Sequence, residues 1–89
     1  MLYKYIGIIA ALLTTASFLP QAYKTIKTKD TKGISLIMYI LFTMGLLLWL
    51  IYGIHIKDMA IILANAITLI FASVILSFKI INIRKGKEK

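Results

Sequence analysis

Hydrophobic residues fill this chain in three long runs, and polar or charged positions fall almost entirely between and after them. Residues 5–23, 33–56 and 59–78 carry no Asp, Glu, Lys or Arg. A helix needs about 20 apolar residues to cross a hydrocarbon core of roughly 30 Å. Each run reaches that length, which predicts spanning helices over residues 3–23, 34–56 and 59–78 and a basic tail over 79–89. Nothing reads as a strand, because the β-branched residues sit in long runs without turn signals. No internal repeat is visible.

The connections are unequal. Residues 24–32 form a basic linker, and Ser35 is placed to cap the second helix. The second and third helices are joined only by Ile56-Lys57-Asp58, so they must be antiparallel neighbours. Pro20 falls in the last third of the first helix. It removes one N–H and crowds the carbonyl of Ala16, which predicts a kink there. Thr15, Ser17 and Gln21 are polar groups near enough to serve the freed carbonyl. Small residues recur at Gly7 and Ala11, at Gly45 and Gly53, and at Ala60 and Ala64, where they would let helices pack closely.

Composition agrees with a membrane setting. Of the 89 residues, 61% are hydrophobic, against about 45–50% in soluble domains. The chain has no cysteine and a formal net charge of +8. In a soluble protein that charge would raise nucleic-acid binding; here it marks the membrane edges. Lys24, Lys27, Lys29 and Lys32 lie in the first connection, and Lys79, Arg84, Lys85, Lys87 and Lys89 in the tail. Only Lys4 and Lys57 fall at the other edge. The positive-inside rule then puts the linker and tail in the cytoplasm and the N-terminus outside. The first run is longer than a signal-peptide core of about 7–15 residues, and Phe18-Leu19-Pro20-Gln21-Ala22 is no clear cleavage site. Cleavage is not expected.

Candidate chemistry lies in the few polar groups within the runs. Asn65 and Thr68 share one face of the third helix. Trp49 precedes the short turn by about eight residues, or roughly 12 Å of helix, and Asn65 follows it by a similar length. The two therefore sit at one depth. An aromatic ring can stack on a sugar's C–H face, and an amide offers two donors and an acceptor to hydroxyls. The same placement also serves helix packing with an interhelical hydrogen bond from Asn65. The runs hold no carboxylate for proton or sodium coupling, and His55 sits at the edge. There is no partnered nucleophile, metal-ligand spacing or phosphate loop, so no enzyme activity, cofactor or metal is expected. A transported solute would be neutral and move down its gradient.

Four segments together carry a family resemblance. They are Phe18-Leu19-Pro20-Gln21 with Lys24-Thr25-Ile26-Lys27-Thr28-Lys29, then Thr31-Lys32-Gly33-Ile34-Ser35, Trp49-Leu50-Ile51-Tyr52-Gly53, and Ile62-Leu63-Ala64-Asn65-Ala66-Ile67-Thr68-Leu69. In this order they resemble the PQ-loop motif and helices of the bacterial SemiSWEET sugar transporters. The resemblance implies an all-α membrane protein, a three-transmembrane-helix bundle working as a parallel homodimer in the bacterial cytoplasmic membrane. It implies a facilitative uniporter with a sugar site on the dimer axis lined by Trp49 and Asn65, and a hinge at Pro20 and Gln21. It further implies an inner gate at Met38 and Phe42 and an outer gate at Tyr52 and Asp58. Where that family carries an arginine four residues after the tyrosine, this chain has Ile56. Its outer gate would use Lys57 of one copy against Asp58 of the other, or be mostly apolar. The alternative classes are a holin-like pore former, also short, three-spanning and basic at its C-terminus, and an assembly subunit without transport.

Overall fold

The computed structural model describes residues 2–86. They form three helices, α1 (Leu2–Thr28), α2 (Leu36–Ile56) and α3 (Met59–Arg84), with no strand among the described residues. All three are long and apolar enough to cross a membrane. Residues 87–89 of the expected tail lie outside the described residues.

Two helices outrun their apolar runs. α1 continues past Tyr23 to Thr28 because lysine is a good helix former and no glycine or proline intervenes. Lys27 in its last turn suits the negative end of the helix dipole. α1 ends at Lys29, whose φ of 56° is left-handed and whose N–H donates to the Thr25 carbonyl at 2.7 Å. α3 likewise passes Phe78 and ends at Arg84, so residues 79–84, the first half of the expected tail, are helix. Lys79, placed in the basic tail by sequence, is buried. The helix carries it onto a protein surface that hydropathy alone does not see.

α1 is helical through Pro20. Ser17 does not serve the Ala16 carbonyl; its hydroxyl donates to the Thr14 carbonyl at 2.8 Å. The Ser35 hydroxyl caps α2 by accepting from Met38 N at 3.2 Å. At the other end, Lys57 closes α2 in a left-handed conformation with φ of 58°. Asp58 then caps α3 by accepting from Ile61 N at 3.2 Å.

α3 lies in the middle, packed against both α1 and α2, which make no close backbone approach to each other. The short Lys57-Asp58 turn requires α2 beside α3, and the longer first connection lets α1 take α3's other side. Along the α2–α3 seam the buried residues of α2 are Tyr39, Leu46 and Gly53, at seven-residue intervals. On α3, Thr68, Ile75 and Asn82 repeat at the same interval, alternating with Ala72 and Lys79. This is the heptad spacing of helices crossing at a shallow angle.

Gly53 marks a close approach of α2 to α3. A Cβ there would lie 2.6 Å from Ile61 Cγ2 and 3.1 Å from Ile61 Cβ. Gly7 and Gly45 make no such contact within the chain, where a Cβ at either meets nothing within 4 Å. Most of α2's large apolar side chains are exposed, a surface suited to lipid or a second protein rather than to water.

Candidate transport site and gates

The Gly53–Ile61 contact sets the α2–α3 register. Trp49 stands four residues before Gly53 and Asn65 four after Ile61, so both occupy one depth, as their spacing predicts. Within one chain, however, they face different spaces. Asn65 lines a half-open cavity of about 370 Å³ bordered by all three helices. Trp49 lines a shallow groove on α2 with Gly45, Leu48 and Tyr52.

The central cavity gathers Thr14, Thr15 and Phe18 from α1, Phe42 and Leu46 from α2, and Asn65 and Thr68 from α3. Its polar groups are largely tied to their own helices. Thr14 Oγ1 donates to the Ala10 carbonyl at 3.0 Å, and Thr68 Oγ1 to the Ala64 carbonyl at 2.7 Å. Each hydroxyl oxygen keeps acceptor capacity. Asn65 Nδ2 donates one hydrogen bond to the Ile61 carbonyl at 2.8 Å, which leaves its second N–H and Oδ1 to serve a ligand. The cavity thus offers hydroxyl and amide groups between aromatic walls and no charged side chain, which suits a neutral polyol.

Toward the basic end lies a second cavity of about 280 Å³, lined by Gln21 and Thr25 of α1 and by Met38, Tyr39 and Phe42 of α2. The structure therefore brings Gln21, Met38 and Phe42 together. Pro20 is exposed and does not line this space. Phe18 and Phe42 border both cavities, with ring centroids 5.9 Å apart. Tyr39 stands edge-on to Phe42 at 5.8 Å. Phe18 thus stands with Phe42 between the two cavities, a place that sequence reading did not give it, while Tyr39 lines only the basic-end one. Aromatic residues in an apolar run carry no sign of which ones meet.

At the opposite end the expected pair separates. Tyr52 packs edge-on against Trp49 at 5.8 Å, in the α2 groove. Asp58 lines another cavity, of about 450 Å³, with Tyr3, Lys4 and Lys57. Its carboxylate caps α3, and among the described residues no ion pair joins it to Lys57. Within a single chain Tyr52 and Asp58 make no common gate.

The sequence model of the PQ loop repeat matches residues 2–62. The sugar transporter SemiSWEET of Leptospira biflexa is 52% identical over 75 residues, covering 84% of this chain and 88% of that protein. The Escherichia coli SemiSWEET is 47% identical over 79 residues, 89% of each chain. A crystal structure of SemiSWEET in the inward-open conformation superposes with a TM-score of 0.89 at 44% identity, covering 96% of this chain and 91% of that one. The chain belongs to the PQ-loop family, in its SemiSWEET branch.

Proposed function

We propose that the chain is a facilitative transporter of a neutral mono- or disaccharide, working by alternating access as a parallel homodimer. The observation that carries the reading is the central cavity, walled by uncharged hydrogen-bonding groups and parted from the basic-end cavity by the Phe18–Phe42 pair. Such a partition is what a gated carrier needs and a holin-like open pore does not. The sugar-transporter names of the Leptospira and Escherichia relatives support the substrate class, and the likeness to a SemiSWEET captured inward-open fits alternating access.

Three helices cannot enclose a sugar-wide path, whereas six can. Trp49 is 55% exposed, and its groove runs over Gly45, where a backbone is open to close approach. A second copy laid against α2 would bring Trp49 of each chain toward the shared path at the depth of Asn65. Pro20 and Gln21 serve as the hinge, Met38 and Phe42 as the inner gate, and Tyr52 and Asp58 as the outer gate once two copies meet. The basic end faces the cytoplasm and the N-terminus faces out. Cysteine at Lys57 should then react with an impermeant thiol reagent outside intact cells, and cysteine at Lys29 should not; the reverse pattern refutes the orientation. The transport reading is tested by counterflow of a panel of labelled sugars in proteoliposomes. Exchange of one or more sugars by a dimer supports it. Leak of unrelated small solutes without saturation would refute it in favour of a pore.

A further inference from the structure

The chain's longest-range polar contacts lie at its basic end, outside the cavities and gates described above. Lys79 Nζ donates to the Thr31 carbonyl at 3.0 Å. Asn82 Nδ2 donates to the Lys29 carbonyl at 3.0 Å and to Thr31 Oγ1 at 2.9 Å. Thr31 is fully enclosed at 0% exposure, Lys79 is 4% exposed and Asn82 is 9% exposed. Lysine is rarely buried this far, because desolvating an ammonium is costly unless it is well bonded. Here a charge-assisted bond to a carbonyl helps offset that cost.

The acceptors are not arbitrary. Lys29 is the left-handed corner where α1 ends, and Thr31 lies four residues before the Ser35 cap of α2. The connection also holds local hydrogen bonds, such as Lys32 N to Asp30 Oδ1 and Ile34 N to the Thr31 carbonyl, which shape it without attaching it to α3. Lys79 and Asn82 tie it to α3, from that helix's last turns.

We propose that Lys79 and Asn82 are positioning residues for gating, clamping the α1–α2 connection to α3. The inference rests on the transport reading above. Gln21 and Thr25 follow Pro20, and Met38 and Phe42 follow Ser35, and all four line the basic-end cavity. With the junction clamped, the end of α1, the start of α2 and the end of α3 move as one piece. A swing about Pro20 then carries Met38 and Phe42 with it. Without the clamp, α1 can bend while the α2 gate stays behind.

The test uses the full-length protein in proteoliposomes, with rates expressed per folded dimer. The parental protein must first show sugar counterflow; absence of counterflow defeats the transport reading itself. Lys79→Met and Asn82→Ala should then each slow counterflow about tenfold or more, since they act on a conformational step. Equilibrium sugar affinity should stay within about twofold of parental, because neither side chain lines the central cavity. Lys79→Arg, which keeps a cationic donor, should restore most of the rate. Pro20→Ala combined with Asn82→Ala should be no slower than the slower single variant, because both impair one motion. The proposal is overturned if counterflow per folded dimer is parental in Asn82→Ala, if the two effects multiply, or if the loss is accounted for by less folded protein alone. Should Lys79→Met fail to fold, the Asn82→Ala rate and the double variant decide the matter.

Discussion

Gly53 is where the geometry makes its sharpest quantitative claim. Replacing it by alanine puts a methyl 2.6 Å from Ile61 Cγ2 and 3.1 Å from Ile61 Cβ. A β-branched side chain in a helix has one favoured χ1 rotamer, so Cγ2 has little freedom to retreat. Forcing it about 30° off that rotamer costs roughly 0.5–1.5 kcal/mol, and overpacking in general about 1–3 kcal/mol. Against this, alanine is better than glycine inside a helix by about 1 kcal/mol. The net expectation for Gly53→Ala is a loss of about 1 kcal/mol. Ile61→Ala removes the methyl at 2.6 Å and leaves only the tighter-than-usual contact to Cβ at 3.1 Å, so in that background Gly53→Ala should cost little or nothing. The coupling between the two sites should be about 1–2 kcal/mol. The assay is the folded fraction in mild detergent under graded denaturant, for the four members of the cycle. Sugar counterflow in Gly53→Ala should also fall, since this contact keeps Trp49 and Asn65 at one depth. An unchanged stability for Gly53→Ala, with the same increment whether or not Ile61 is present, would refute the claimed close approach.

Other expectations bear on transport. Trp49→Ala and Asn65→Ala should each leave the dimer intact yet weaken sugar binding; for Asn65, two lost hydrogen bonds per dimer at about 0.5–1.5 kcal/mol each amount to roughly tenfold or more at 1.4 kcal/mol per decade. Normal binding in both variants, or loss of transport only through dissociation, would mark these residues as packing. Pro20→Ala should insert and express well but slow counterflow, and a parental rate would reduce Pro20 to a feature of helix shape. Counterflow should persist when proton and sodium gradients are collapsed, because no carboxylate lies in an apolar run. Uphill accumulation driven by an imposed pH gradient would overturn this and direct attention to His55.

Features that depend on neighbours along the chain were legible in the residues alone. Run length sets the three spans, the Lys57-Asp58 turn makes α2 and α3 antiparallel, and Ser35 caps α2 because its hydroxyl reaches an N–H three residues on. The common depth of Trp49 and Asn65 follows from equal spacing about that turn. Asp58, a gate residue by resemblance, stands in one chain as the N-cap that its place just before α3 allows. What the tertiary structure decided is which faces meet. α2 is apolar all round, so no polar stripe marks the side carrying Tyr39, Leu46 and Gly53, and periodicity has nothing to report. For the same reason the Phe18–Phe42 partition and the central position of α3 were not legible. Lys79 and Asn82 read as the start of a basic tail because their partners, Lys29 and Thr31, lie 48 to 53 residues away. Hydropathy and capping are local properties of the chain, whereas a buried lysine is explained only by the distant carbonyl it reaches.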